Sequence, residues 1–291
     1  MIGRNLNPDL EEAFRSCAAL AKSHYENFPI GWFVPKPLQK YVFAVYAFAR
    51  TADDLSDEAI YAEGRAERLK VFAQQLDRAI DGHVQETDPP LFLAIAHTLE
   101  KTQVPPQLLK DLLVAFQQDV HKKRYKNFKE LEDYCIYSAN PIGRIVLHLF
   151  GFRHPELMEW SDKICTGIQL VNHWQDIAVD LAKDRVYLPE EDLKRFGYSY
   201  EDLIQQRVNE AFCSLMRFQV ARTRTFFYEG RLLLNVLSRR LRWQVSLMWL
   251  GPMKILDRLE KNHYDIFRNR PSLSSRDKVK LLLSMPFQRR R

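Results

Sequence analysis

Two aspartate pairs, far apart in the chain, are the residues whose type and spacing point most directly to chemistry. The first pair is Asp53 and Asp57, and the second pair is Asp176 and Asp180. A spacing of four residues puts both carboxylates of a pair on one face of an α-helix. Like charges at this spacing repel each other, so a solvated acidic face is the alternative for either pair alone. Two such pairs in one chain favour a shared chemical task.

The second pair belongs to a longer polar stripe. Asn172, Asp176 and Asp180 follow one another at steps of four residues, and the residues between them are mainly apolar. The sequence predicts that these residues belong to one helix. Asp184 and Arg185 continue its polar stripe towards the helix end. Carboxylates on an otherwise apolar helix are costly to bury without a partner. A hard divalent cation would remove that cost.

Magnesium suits such a site because it takes one or two carboxylates and completes its octahedron with water and phosphate oxygens. We therefore expect Asp53, Asp57, Asp176 and Asp180 to bind Mg²⁺. Bound Mg²⁺ can hold a diphosphate and stabilise the charge that develops when the diphosphate leaves. The two motifs together predict chemistry on a diphosphate ester.

The composition indicates the elements that must position these residues. The 291 residues are 46% hydrophobic and 12% aromatic, which excludes a disordered chain. Only ten glycines occur, about half the usual ~7%, which disfavours hairpins and a Rossmann fold. Apolar residues recur at helical spacing between prolines. We predict an all-α fold of roughly ten to thirteen helices, with one domain over residues 1–291 and a basic C-terminal helix or tail at 272–291.

Charge is distributed unevenly along the chain. The net charge is +6, yet residues 217–291 alone contain 18 Lys and Arg against 5 Asp and Glu. Such a basic region suggests an anionic partner, and a solvated arginine-rich helix surface is the alternative. Nucleic acid is not expected, because the sequence has neither zinc-finger spacing nor an RNA-recognition motif. Peripheral contact of the 272–291 tail with a membrane surface is one interpretation.

Three further patterns bear on the compartment and on cofactors. The four cysteines form no CxxC pair, which favours buried free thiols in a reducing environment. No signal peptide and no apolar stretch of about 20 residues is visible, so we expect a cytoplasmic protein, with peripheral contact at the inner face of a bacterial membrane as an option. Neither a GxGxxG nor a P-loop motif occurs, and no NADPH is expected.

Four stretches of the sequence resemble the squalene/phytoene synthase family. They are residues 46–57, 133–144, 172–189 and 264–267, and the resemblance extends over roughly Ala18 to Arg270. It implies an all-α isoprenoid-synthase fold with a central cavity, aspartates at the cavity mouth, Mg²⁺ and allylic diphosphate substrates. The four aspartates match the metal-binding aspartates of the family.

The resemblance also implies roles for other residues. Tyr134 matches a cavity tyrosine beside the reacting carbons, and Asn172 matches a polar neighbour of the metals. Arg50 and Arg185 match arginines near the diphosphate, His24 matches a histidine near the entrance, and Tyr187 follows the Arg-x-Tyr pattern of the family. We predict substrate binding by these four residues and by Tyr25, Asn27, Gln169 and Lys183.

Departures from the family pattern narrow the expected reaction. Gln175 stands where condensing members have arginine, Tyr25 and Asn27 stand where they have two serines, and Asn140 replaces a glycine. Losing an arginine and two hydroxyls removes phosphate-binding donors. Condensation of two prenyl diphosphates needs two diphosphate subsites, so the sequence predicts that one subsite is lost.

These departures are similar to the branch that makes hydroxysqualene in bacterial hopanoid pathways. That branch implies a lyase that converts presqualene diphosphate and water to hydroxysqualene and diphosphate. Aromatic walls would stabilise the intermediate cation and exclude stray water, and one held water would capture it. Candidates to hold that water are Tyr134, Asn140 and Gln175. Two alternatives remain: a head-to-head prenyltransferase using farnesyl or geranylgeranyl diphosphate, and a non-catalytic helical binding protein.

Overall fold

The computed structural model describes residues 8–23, 34–61 and 63–284. Within these ranges every regular element is a helix, which confirms the predicted all-α class. Three of the predicted substrate-binding residues, His24, Tyr25 and Asn27, lie outside the described residues.

Fifteen α-helices and one short 3₁₀ turn, Ala59–Tyr61, make up the described chain. The α-helices are α1 (Pro8–Ser23), α2 (Lys36–Asp57), α3 (Arg65–Ile80), α4 (Pro90–Thr102), α5 (Gln107–His121), α6 (Phe128–Ser138), α7 (Asn140–Leu149), α8 (Pro155–Gln175), α9 (Ile177–Ala182), α10 (Glu190–Arg195), α11 (Tyr200–Ile204), α12 (Glu210–Gly230), α13 (Leu233–Val236), α14 (Arg239–Lys261) and α15 (Ser275–Ser284). The predicted number was too low because α9, α10, α11 and α13 are too short to leave a periodic signal.

The helices group into two compact units. The first unit comprises Met1–His121 and Arg144–Arg153, and the second comprises Lys122–Gly143 and His154–Arg291. The first aspartate motif belongs to the first unit and the second motif to the second unit. The single domain predicted for residues 1–291 stays a prediction.

Helix α2 is the central helix of the first unit. It packs against α1, α3, α4 and α5, and its middle is buried on nearly all sides. Phe48 has no exposed surface, and its ring lies 5.1 Å from that of Phe72, which in turn lies 4.9 Å from Phe92. This aromatic packing fixes the helix that carries the first aspartate motif.

Helix α8 has the corresponding position in the second unit, where it packs against α6, α12 and α14. Trp174 on α8 is fully buried, and its indole N–H donates to the Thr223 hydroxyl on α12 at 2.8 Å. A Cβ atom at Gly230 would collide with Ile164 and with the backbone carbonyl of Trp160. Glycine therefore permits the close approach of α12 to α8, which leads into the second motif.

Three further features of the described chain concern the cysteines, the helix lengths and the basic segment. All four cysteines are free, with Cys17, Cys135 and Cys165 buried and Cys213 partly exposed, so the expected buried free thiols are confirmed at three positions. Across the described ranges, no helix has both the length and the apolar character required to cross a membrane. Helix α15 occupies the first part of the basic segment predicted at 272–291.

Candidate functional site

The first aspartate motif occupies the last two turns of α2, which ends at Asp57. Asp53 and Asp57 are one helical turn apart, as the sequence predicted. Arg50, one turn earlier, reaches forward along the helix, with Nη1 3.4 Å from Asp53 Oδ2 and Nη2 2.6 Å from Asp54 Oδ1. Acidic side chains at a helix C-terminus oppose the helix dipole, so a cation stabilises them. Arg50 supplies part of that positive charge.

The second motif lies across a break between two helices. Helix α8 ends at Gln175, Asp176 has φ −106° and ψ 11°, and α9 begins at the next residue. The prediction of one continuous helix through Asp176 was therefore wrong. One helical turn still separates Asn172 from Asp176 and Asp176 from Asp180. The Asp176 N–H donates to the Asn172 carbonyl at 2.9 Å, and the Asp180 N–H donates to the Asp176 carbonyl at 2.8 Å.

The predicted extension of the polar stripe to Asp184 was also wrong. Helix α9 ends at Ala182, and Asp184 adopts a left-handed backbone with φ 58°. Its carboxylate pairs with Arg124 at 2.6 Å instead of continuing the stripe. Arg185 returns to the motif through its backbone, since its N–H donates to the Asp180 carbonyl at 2.8 Å.

A segment from much later in the chain binds the second motif. Arg270, between α14 and α15, forms an ion pair with the Asp176 carboxylate through Nε, and this hydrogen bond raises the pKa of Arg270. The neighbouring Gln175 donates its side-chain amide to the Pro271 carbonyl. Sequence reasoning missed Arg270, although it follows closely after the family-like stretch 264–267. Two consecutive contacts thus attach this segment to the motif.

Four rings form an aromatic cluster near the second motif: Tyr125, Tyr134, His173 and Tyr187. The His173 and Tyr187 rings stack with centroids 3.7 Å apart, and Tyr134 lies 5.8 Å from Tyr125 and 5.9 Å from Tyr187. His173 is buried, and burial lowers its pKa to about 3, so its imidazole is neutral at ordinary pH. The sequence identified Tyr134 and Tyr187 but gave no functional signal for the other two rings. The cluster offers π-faces that can stabilise a cation.

Asn140 begins α7 and is buried against α8. Its side-chain carbonyl accepts a hydrogen bond from the Thr166 hydroxyl at 3.0 Å. One turn later, a Cβ atom at Gly143 would collide with Ser161 Oγ and Cys165 Sγ on α8. The small residue at position 143 therefore allows the close contact that fixes the orientation of Asn140.

The other predicted site residues of the second unit differ in how far their side chains are exposed. Asn172 and Lys183 are exposed, whereas Gln169, Arg185 and Tyr187 are half-buried. The structure thus brings Tyr134 together with Tyr187, and Gln175 and Asp176 together with the segment that contains Arg270.

The carboxylates fit the predicted metal in number and kind. Among the described residues, no group of three or more His, Cys, Asp or Glu side chains is arranged to hold a metal. Each motif instead presents two carboxylates one turn apart. That is the number Mg²⁺ takes from a protein when phosphate oxygens and water complete its shell.

Comparison with known proteins identifies relatives over nearly the whole chain. The squalene/phytoene synthase family model matches residues 20–277. The phytoene synthase of Arthrospira platensis is 29% identical over 89% of this chain and 87% of its own length. Phytoene synthase 2, chloroplastic, of Solanum lycopersicum is 30% identical over 95% of this chain and 90% of its own.

Solved structures with the same helical fold include two enzymes. The squalene synthase HpnC from Alicyclobacillus acidocaldarius superposes with a TM-score of 0.84 and 36% identity, covering 89% of this chain and 97% of that one. A dehydrosqualene synthase in complex with ligand superposes with a TM-score of 0.85 and 24% identity, covering 96% and 97%. The second likeness concerns the fold alone. Together they confirm the predicted isoprenoid-synthase fold.

Proposed function

This chain belongs to the squalene/phytoene synthase family, and we propose that it converts presqualene diphosphate and water to hydroxysqualene and diphosphate. Head-to-head transfer between prenyl diphosphates such as farnesyl diphosphate is the activity of this family. The proposed reaction uses the same ionisation of a prenyl diphosphate but ends with water instead of a second prenyl group.

Gln175 is the observation that carries the proposal. Condensing members of the family resemble this chain in the surrounding motif but have arginine at that position. A glutamine has no positive charge, and here its amide is already engaged with the Pro271 carbonyl. Arg270, a cation that the structure adds to this motif, is paired with the Asp176 carboxylate. This arrangement favours one diphosphate subsite, and a neutral amide cannot replace a bidentate guanidinium at a second one.

The atoms of the proposed reaction balance without a redox step. The C–O bond to the diphosphate breaks, the cyclopropylcarbinyl cation rearranges, and the oxygen of water forms the new C–O bond while one proton leaves. Because no hydride is transferred, no NADPH is needed. Mg²⁺, when bound by Asp53, Asp57, Asp176 and Asp180, would supply Lewis-acid stabilisation of the departing diphosphate.

The side chains of this chain have two further tasks in the proposal. Arg50 and Arg185 carry positive charge for the diphosphate, in the roles that the family resemblance implies, and Lys183 adds a third positive charge. The aromatic cluster presents ring faces to the cation, and its buried rings exclude stray water.

Tyr134 and Asn140 would hold the water that captures the cation. Both side chains are buried, and the bond from Thr166 fixes the orientation of the Asn140 amide. Gln175, the third candidate from the sequence, is engaged with the Pro271 carbonyl and serves as a positioning residue.

A product assay tests the proposal. Purified protein with Mg²⁺ and without NADPH receives presqualene diphosphate in one reaction and farnesyl diphosphate in another, and products are identified by mass. Hydroxysqualene from the first reaction alone is expected. Asn140→Ala should lower the hydroxysqualene fraction among the products more than it lowers diphosphate release, whereas Asn235→Ala, on an exposed residue, should change neither.

A condensing prenyltransferase is the second candidate, because the curated relatives compared above are phytoene synthases. It predicts consumption of farnesyl or geranylgeranyl diphosphate in the absence of presqualene diphosphate. That result would overturn the one-subsite proposal and assign the role of the missing cation to another residue.

A further inference from the structure

An exposed surface of apolar and basic side chains lies where α12, α13 and α14 follow one another. Its apolar members are Tyr228, Leu232 and Val236, which are 56%, 50% and 48% exposed. Single exposed apolar residues are common on proteins. These three recur at steps of four residues, the spacing that places side chains on one face of a helix.

The backbone places the three apolar side chains on one face. Arg231, with φ −57° and ψ −27°, and Leu232, with φ −57° and ψ −30°, continue the right-handed helical path from α12 into α13. Residues four apart on such a path point the same way. Leu233 and Leu234 face inwards and are buried. The stripe at 228, 232 and 236 is therefore left on the outside.

Four arginines follow Tyr228 within the next fourteen residues: the exposed Arg231, Arg239 and Arg240 and the half-buried Arg242. Within the described part of the chain, none of them forms an ion pair with a carboxylate. Two of them lie over aromatic rings instead, with Arg231 5.7 Å from the Trp249 ring and Arg239 5.6 Å from the Trp243 ring. The sequence from 230 to 256 contains no Asp or Glu. Glu229, the carboxylate just before this stretch, pairs with Lys163 at 2.9 Å. The four arginines thus have no neighbouring carboxylate as an ion-pair partner.

At the start of α14 the positive charge destabilises the helix unless an anion is bound. Its first turn contains Arg239 and Arg240 and no acidic residue, and the Ser238 side chain makes no capping hydrogen bond. Positive side chains at a helix N-terminus oppose the helix dipole. By contrast, α10 begins with three acidic residues, Glu190 to Asp192. An external anion would relieve the conflict at α14.

We propose that the 228–242 surface, comprising the three apolar residues and the four arginines, docks the protein on an anionic lipid bilayer. Tyr228, Leu232 and Val236 would enter the boundary between headgroups and acyl chains. The arginines would bind lipid phosphates. The apolar stripe favours a bilayer over a nucleic acid, because the sugar–phosphate backbone of a nucleic acid has no apolar interior that these side chains could enter. This inference goes beyond the proposed reaction and rests on residues outside the basic tail.

Vesicle sedimentation of the full chain tests the proposal. Wild-type protein should bind vesicles of phosphatidylcholine with phosphatidylglycerol, bind pure phosphatidylcholine weakly, and dissociate as salt rises. Arg239→Gln with Arg240→Gln should weaken binding roughly thirtyfold, since each basic residue near an anionic surface contributes about 1 kcal/mol. Leu232→Ser with Val236→Ser should weaken it roughly tenfold.

A matched control removes the same charge elsewhere. Lys126→Gln with Lys194→Gln changes two exposed lysines of the same unit and should leave binding within about twofold. Circular dichroism checks that each variant is folded. Unchanged binding of the double arginine variant, or an equal loss in the lysine control, would overturn the proposal. No prenyl substrate is present, so the result is independent of the proposed reaction.

Two other outcomes would also overturn it. If deletion of the residues after Ser284 abolishes binding, the basic tail is the membrane contact. If duplex DNA binds more tightly than the vesicles and the Leu232→Ser, Val236→Ser variant behaves like wild type, the surface recognises polyanions in general.

Discussion

The two aspartate motifs differ in what holds their carboxylates in place. In the first, Arg50 and its acidic partners Asp53 and Asp54 lie within two turns of one helix. In the second, Asp176 lies at a helix break and pairs with Arg270, 94 residues later in the chain. The same chemical pattern is thus built once by local helix geometry and once by tertiary contacts. The two motifs should therefore respond alike to loss of a carboxylate and differently to loss of an arginine.

The largest expected effect comes from removing one carboxylate from either motif. Asp53→Asn and Asp180→Asn should each lower kcat/KM by about a thousandfold, because each removes a proposed ligand of the Mg²⁺ that would stabilise the leaving diphosphate. Steady-state diphosphate release measures this, with Asp81→Asn on an exposed residue as the control. Chelation of divalent ions should abolish turnover and added Mg²⁺ should restore it. Activity within tenfold of wild type in either variant would refute a metal role for that motif.

Replacing the arginine of each motif should affect local amide exchange differently in the two motifs. Arg270→Gln removes the tertiary ion pair at Asp176, so amide exchange in residues 265–274 should accelerate at least tenfold and turnover should fall about tenfold to a hundredfold. Arg50→Gln should leave amide exchange in α2 unchanged, because the helix holds its own backbone. Hydrogen exchange by mass spectrometry measures both. Equal protection of 265–274 in wild type and Arg270→Gln would show that other contacts hold the segment.

A pH effect should arise in the second unit from the aromatic cluster. His173 has a folded-state pKa of about 3, so below about pH 6.5 the unfolded chain binds a proton that the folded chain does not. Stability should therefore fall with decreasing pH between about 6.5 and 3, by about 1.4 kcal/mol per unit from this group. Denaturant unfolding at several pH values measures the slope. His173→Phe keeps the stacking and should flatten it; an unchanged slope would remove His173 as its source.

The smallest expected effect concerns the turn after the second motif. Arg124→Gln breaks the pair with Asp184, whose side chain is 77% exposed, so the free energy of unfolding should decrease by at most about 1 kcal/mol. Thermal unfolding at low and high salt measures it, and the difference from wild type should shrink as salt rises. A larger loss would mean that this turn supports the motif more than its exposure indicates.

The same contrast explains what the sequence could predict. Asp53 and Asp57 share a helix face because helix geometry alone fixes their spacing, and that prediction is confirmed. The all-α class followed equally from periodicity and from the shortage of glycine. Asp184 was placed wrongly, because periodicity does not register a left-handed residue that ends a helix.

Long-range contacts were beyond the sequence for a different reason. Arg270 reaches Asp176 and Thr166 reaches Asn140 only after the second unit has folded, and no local pattern encodes either pair. The burial of His173 has the same origin, since its neighbours Tyr134 and Tyr187 come from separate parts of the chain. The residue types of the site could thus be predicted, but their partners could not.

The remote anchor at Arg270 also orders events during synthesis. The ribosome releases α2 early, so the first motif can take its final form as soon as its helix folds. The second motif must wait until the segment with Arg270 and Pro271 has also emerged. A nascent chain therefore carries an Asp176 carboxylate without this partner while the next 94 residues are added. The proposed binding of a diphosphate should therefore arise only once this segment has emerged.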